Sequence, residues 1–255
     1  MEGRTTIFDL DDTLITEEEV ARSSLRRTAG LLPDHDPDQV EKVVLDTARR
    51  LWRAGPCHGL CQELGIASWE GLWATFEGGH DALDDLRDWA RSYRPEVWRS
   101  ALASLGSEDP RLAGTMADLY IENQRHGHRL IEGAARLIRS LRGTRRLGLL
   151  TNGPPDIQRL KLEGTGLAAC FDAVVISGEV GMGKPDPGAF AYTLDRLGAA
   201  PESAVMVGDS WERDVLGSLA AGMSAVWIAG DRPRPDEVPK VTVVDSVAEL
   251  TVLTI

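Results

Sequence analysis

Three short apolar runs, residues 5–9, 147–151 and 204–209, each end in polar side chains, the pattern of a buried strand that delivers its last residues to a site. Helical periodicity follows over residues 133–141, 156–162, 187–197 and 212–221, with several of these stretches opened by Pro or Asp and closed by Gly. Two further β-rich runs, 173–176 and 224–228, predict additional strands. Strand and helix alternate, so the strands are expected to be parallel and joined by crossover helices. The predicted fold class is α/β, a doubly wound parallel sheet, with ligands at the carboxyl ends of its strands.

Residues 16–128 break that alternation, since they carry helix-start signals and no convincing strand. Thr16 with Glu19 reads as a capping box, Asp36-Pro37 and Asp109-Pro110 each join an N-cap to a proline at the first helical position, and Ser68 is placed to cap another helix. The chain thus divides into an α/β core, residues 1–15 and 129–255, and an all-helical insertion, residues 16–128. Five of seven tryptophans (Trp52, Trp69, Trp73, Trp89 and Trp98) and all five histidines fall in the insertion. Proton transfer within the core therefore has to use carboxylates, lysine or water. Residues 231–239, with three prolines, read as an irregular loop.

The 255 residues suffice for one large domain or a domain with an insertion. The formal charge of −12 opposes nucleic acid and anionic membranes as partners. The N-terminal stretch reaches Asp9 too soon for a signal core, and no run approaches the roughly 20 apolar residues of a membrane span. A cytoplasmic protein, monomeric or homodimeric, is expected. The odd number of cysteines, Cys57, Cys61 and Cys170, predicts free thiols.

Four strand-end segments carry candidate chemistry. In Asp9-Leu10-Asp11-Asp12-Thr13 the strand period places Asp9 and Asp11 on one side if strand geometry persists. Two such carboxylates need a cation between them or a proton on one of them; the plainer alternative is an acidic turn that caps a helix. Thr151-Asn152-Gly153 offers a hydroxyl and backbone N–H groups to phosphate oxygens, or is simply a turn. Lys184, one of only four lysines among 28 basic residues, is an ammonium suited to meet a carboxylate and a phosphate together, or a solvated loop residue. Gly208-Asp209 followed by Asp214 supplies hard-cation ligands, Asp214 directly or through water, with helix capping by Asp209 as the alternative.

Taken together, and in this order, the four segments resemble the motifs of the haloacid dehalogenase superfamily, in a branch similar to phosphoglycolate phosphatases with a helical cap after the first strand. The stretch Thr151-Asn152-Gly153, Gln158, Lys161-Leu162, Gly166-Leu167 and Phe171-Asp172 is similar to nucleotidases and N-acylneuraminate-9-phosphatases. The resemblance implies Asp9 as nucleophile, Asp11 as general acid and base, Lys184 as catalytic and phosphate-binding cation, and Thr151 and Asn152 as phosphate ligands. It implies Mg2+ held by Asp9, the Asp11 backbone carbonyl and Asp209, with Asp214 in support. Many relatives carry glycine where this chain has Asp12. Dehalogenases of the family carry tyrosine in place of Asp11, so Asp11 favours phosphoryl transfer. The implied function is a magnesium-dependent phosphatase of small phosphorylated metabolites, sugar or nucleoside monophosphates, acting through an aspartyl-phosphate. A phosphomutase on the same core and a non-catalytic binding protein are the alternatives.

Three features of the insertion fall outside these motifs. Cys57-His58-x2-Cys61 has two thiols and an imidazole but lacks the second pair that zinc sites generally use. Trp69 and Trp73, four apart, predict a buried helix face more readily than a stacking platform. His126 and His128 predict a solvated helix end.

Overall fold

The computed structural model describes residues 4–233 and 238–250; residues 234–237 of the expected 231–239 loop lie outside the described residues. Six strands form one sheet: β1 (Thr5–Phe8), β2 (Arg146–Thr151), β3 (Ala173–Ile176), β4 (Ala204–Gly208), β5 (Ser224–Ile228) and β6 (Val241–Val244). They are all parallel and ordered β3-β2-β1-β4-β5-β6, the doubly wound arrangement expected.

Burial on both faces explains the nearly continuous apolar strands. Phe8, Leu149 and Val207 point to a cluster with Leu137 and Ile138, while Ile7, Leu150 and Met206 point to the opposite cluster with Phe190 and Leu194. The chain order reverses between β1 and β4, whose register pairs Phe8 with Val207. Asp9 and Asp209 therefore emerge side by side at the switch point, where such sheets bind ligands.

Helices α1 (Glu18–Ala29), α2 (Pro37–Ala54), α3 (His58–Leu64), α4 (Asp84–Ser104) and α5 (Pro110–Gly127) lie between β1 and β2. Asp36 and Asp109 cap α2 and α5 as the Asp-Pro pairs predict, accepting from Asp38 N and Arg111 N. Amphipathic faces of α1, α2, α4 and α5 bury a cluster separate from the sheet's, around Val44, Trp52, Tyr93, Trp98 and Tyr120. The remaining helices are α6 (Ala134–Leu141), α7 (Pro155–Gly164), α8 (Ser177–Val180), α9 (Pro187–Leu197) and α10 (Gly217–Ala220). No helix among the described residues is long and apolar enough to cross a membrane.

Several local expectations are corrected. Thr16 and Glu19 form no capping box: α1 starts after Glu17, and the Asp12 carboxylate accepts from Glu17 N (2.8 Å) and Glu18 N instead. Ser68 caps no helix, its carbonyl accepting from the Tyr93 hydroxyl. Trp69 and Trp73 flank a single 3-10 turn (Glu70–Leu72) rather than sharing a helix face. The helix expected at 212–221 opens with a π-helical turn, Trp211–Leu216, before α10.

Candidate active site

A cavity of about 480 Å³ lies over the carboxyl ends of β1, β2 and β4, with α2, α3 and the segment after α3 forming its other wall. Asp9, Asp11, Thr151, Asn152, Lys184, Asp209 and Asp214 all line it, so the structure brings every sequence-predicted site residue to one place.

Strand geometry does not persist through Asp11, which corrects the expectation of two carboxylates on one strand face. β1 ends at Phe8, and a tight turn in which Leu14 N and Ile15 N donate to Leu10 O folds the chain back. Asp12, at φ 54°, occupies the left-handed region in that turn. Aspartate tolerates that region better than most residues, and its carboxylate gains two backbone donors there, which is how the chain does without glycine. Asp9 and Asp11 consequently face different partners.

Asp9 turns toward Lys184, whose Nζ donates to Asp9 Oδ1 and to Asp214 Oδ1, each at 2.6 Å. Lys184 is 2 % exposed, so it is no solvated loop residue. Its backbone is clamped by Asn152, whose Oδ1 accepts from Lys184 N and whose Nδ2 donates to Lys184 O, both at 2.8 Å. Both ends of the Asn152 side-chain amide therefore position the lysine, so a phosphate would meet this residue through its backbone. Asp214 also accepts from Ser210 N (2.9 Å), and a Cβ on Gly208 would come within 2.3 Å of its carboxylate, so the strand end admits only glycine. Ser210, not Asp209, caps the turn that follows, and Asp209 accepts from Arg232 Nη1 at 3.1 Å. Carboxylate oxygens of Asp9, Asp209 and Asp214 all lie within 4.8 Å of one another, an all-oxygen set suited to a hard divalent cation. Burial pushes the Asp9 carboxyl well up, and Lys184 opposes this while Asp214 and Asp209 reinforce it. Asp209 is likewise raised, by burial and then by Asp214. The Lys184 ammonium is raised because the two carboxylates outweigh its burial.

Asp11 belongs to a second network that sequence reasoning did not assign. Gln158 Nε2, on α7, donates to Asp11 Oδ2 (2.8 Å), to Thr151 Oγ1 (2.8 Å) and to Asn152 O (2.6 Å). Lys161, one turn on, is fully buried and donates to Asp11 Oδ1 (3.1 Å) and Glu17 Oε2 (2.7 Å). Burial raises Asp11 despite Lys161, and holds Glu70, across the cavity, at about 8. Burial would also raise Glu17, but Lys161 and His128 outweigh it and bring that carboxyl down to about 2. The rarity of lysine, which singled out Lys184, applied equally to Lys161 and was the available signal.

The other candidates separate. His128 is no solvated helix end: its imidazole is buried, 2.6 Å from Glu17 Oε2 and stacked on Trp73. His126 is exposed beside Glu122. Trp73 is buried and Trp69 half-buried at the cavity wall. Cys57, Cys61 and Cys170 are free thiols, and burial pushes Cys61 up to about 12, far from a thiolate ligand. His58 lines the cavity, so an imidazole reaches it from the helical segment although the sheet portion has none.

The family profile of the haloacid dehalogenase-like hydrolases matches residues 4–222. The chain is 39% identical over 235 residues to a phosphoserine phosphatase of Thermus thermophilus, covering 91% of each chain. It is 40% identical over 182 residues to the pyrimidine 5'-nucleotidase YjjG of Escherichia coli, 70% of this chain and 76% of that one. With the N-acylneuraminate-9-phosphatase of Rattus norvegicus it shares 36% over 255 residues, 98% and 93% of the two chains. The magnesium-bound structure of the Bacillus subtilis HAD-hydrolase YfnB superimposes with a TM-score of 0.66 at 22% identity, covering 98% of this chain and 97% of that one.

Proposed function

The chain belongs to the haloacid dehalogenase-like hydrolases and is a phosphatase of phosphate monoesters; from that premise we propose that its reaction depends on magnesium and runs through an aspartyl-phosphate on Asp9. The observation that carries this reading is the division of labour between two buried lysines. Lys184 holds Asp9 within the Asp209–Asp214 cluster, and Lys161 with Gln158 holds Asp11 apart from it.

In the first step an Asp9 oxygen attacks phosphorus and the ester P–O bond breaks, while Asp11 gives its proton to the leaving oxygen. A carboxyl raised by burial is suited to hold that proton. In the second step Asp11 takes a proton from water, which attacks phosphorus, releases inorganic phosphate and restores Asp9. Lys184 balances negative charge at the attacking oxygen, and Thr151 contributes its hydroxyl to the phosphate. The carboxylates of Asp9 and Asp209, Asp214 directly or through water, and the Asp11 backbone carbonyl would hold the magnesium ion. When bound, that ion supplies a compact positive charge against the phosphate oxygens.

We assign residues 1–15 and 129–255 to the catalytic core and 16–128 to a cap that selects the substrate. Small sugar or nucleoside monophosphates suit a cavity of this size, and the net charge of −12 opposes polynucleotides and anionic membranes. A cytoplasmic monomer or homodimer completes the reading. The test is p-nitrophenyl phosphate hydrolysis with magnesium. Asp9→Asn should abolish turnover, since an amide cannot act as the anionic nucleophile, and Asp11→Asn should lose roughly 10² to 10⁴ in rate. A tenth or more of wild-type activity in Asp9→Asn would remove Asp9 from the mechanism. Isomer exchange of sugar phosphates without phosphate release would make the enzyme a phosphomutase.

A further inference from the structure

The hydrolytic reaction accounts for the acidic floor of the cavity but not for the arginines on its other wall. The acids have partners of their own: Lys184 meets Asp9 and Asp214, Lys161 meets Asp11 and Glu17, Arg232 meets Asp209, and Asp12 and Glu70 accept backbone N–H groups. Arg49 and Arg53, one turn apart on α2, line the same cavity. Arg53 has no hydrogen-bond or ion-pair partner among the described residues, and Arg49 has only a 3.5 Å contact with half-exposed Asp46. Between them Trp52 anchors α2 in its core, 5.4 Å from Trp89 and 4.9 Å from Tyr93 by ring centroid, so both guanidinium groups rise from a fixed helix. In a chain of net charge −12, two arginines that line the cavity without a carboxylate partner inside it mark a place for an anion.

Resting on the phosphatase reading above, we propose that Arg49 and Arg53 bind a second anionic group of the substrate, a carboxylate or a second phosphate, remote from the phosphate that is hydrolysed. Residues four apart on a helix lie roughly 6 Å from each other at Cβ, close enough for two guanidinium forks to converge on one anion. The phosphate undergoing transfer has its own partners at the strand ends, Lys184 and Thr151, on the opposite wall.

The test measures phosphate release from matched pairs. O-phosphoserine against O-phosphoethanolamine and 3-phosphoglycerate against glycerol 3-phosphate isolate the carboxylate; glucose 1,6-bisphosphate against glucose 6-phosphate isolates the second phosphate. The wild-type enzyme should favour the doubly anionic member of at least one pair by tenfold or more in kcat/KM. Arg49→Ala/Arg53→Ala should bring that preference within threefold, mainly through KM. Arg50→Ala, exposed and outside the cavity, should keep it, and the double lysine variant should retain part of it. Equal use of both members of every pair by wild type overturns the inference without any variant, which covers a double variant that fails to fold; in that event Arg53→Ala alone decides. A variant that loses both members of a pair alike also overturns it. Phosphate release from no substrate at all overturns the phosphatase reading itself.

Discussion

Asp12 shows how one residue reconciles a strained turn with a helix start. Its positive φ costs roughly 1–2 kcal/mol for an ordinary side chain, and its carboxylate returns a comparable amount by capping Glu17 N and Glu18 N. Asp12→Ala keeps the strain and loses the cap, so it should destabilise by about 2 kcal/mol in urea unfolding, whereas Asp12→Gly should lose less because it relieves the backbone. Equal loss in the two would mean that the turn carries no strain. Asn152 acts on chemistry through another residue. Asn152→Ala removes both bonds to the Lys184 backbone and should lower kcat on p-nitrophenyl phosphate by on the order of 10²-fold with little change in KM, the signature of a misplaced catalytic group.

At the level of elements, the two connections between the sheet and the helical segment are tied together. Ile15 bridges Leu130, Thr16 N donates to Arg129 O, and Glu17 on one connection meets His128 on the other, with Lys161 of α7 beneath both. A carboxyl held at about 2 when folded and near 4.5 when unfolded stabilises the fold fully above pH 4.5, and that contribution is lost as pH falls toward 2. It is worth on the order of 3 kcal/mol at roughly 1.4 kcal/mol per pH unit. Glu17→Gln should therefore be destabilised most at neutral pH, and its deficit against wild type in unfolding free energy should shrink between pH 4.5 and 2. A deficit independent of pH would assign the loss to packing. The sequence shows β1 to β5, α6, α7, α9 and the Asp-Pro caps because local periodicity and capping encode them, whereas α8, only four residues long, is too short to show a period. It hides the hinge, because Glu17, His128 and Lys161 meet across 111 and 144 positions of chain. β6 also escapes sequence reading: it is a four-residue edge strand, paired among the described residues only with β5 and only partly buried, so it carries a weak pattern. The π-helical turn at Trp211–Leu216 escapes as well, since helical periodicity does not register a widened turn of the kind often found at functional sites.

For the molecule as a whole, the switch point of the sheet concentrates charge that the fold alone accommodates poorly. Asp9 and Asp209 arrive there because β1 and β4 are adjacent, and Asp214 because the π-helical turn folds it back against Gly208. Lys184 and Arg232 offset part of the repulsion, yet burial and mutual repulsion still raise Asp9 and Asp209. A divalent cation that binds the folded chain and not the unfolded one should raise global stability by RT ln(1 + [L]/Kd), about 2.7 kcal/mol at a hundredfold excess over Kd. Magnesium should thus raise the melting temperature measured in EDTA-treated protein, and Asp209→Asn should remove most of that rise even though the substitution relieves repulsion and stabilises the metal-free chain. Calcium should also raise the melting temperature, because its oxygen preferences are similar, but should fail to support turnover, because its larger and looser shell would displace Asp9 from in-line attack. Identical melting temperatures in EDTA and in magnesium, together with full activity after chelation, would refute the metal assignment while leaving Asp9 and Asp11 to be judged by their own substitutions.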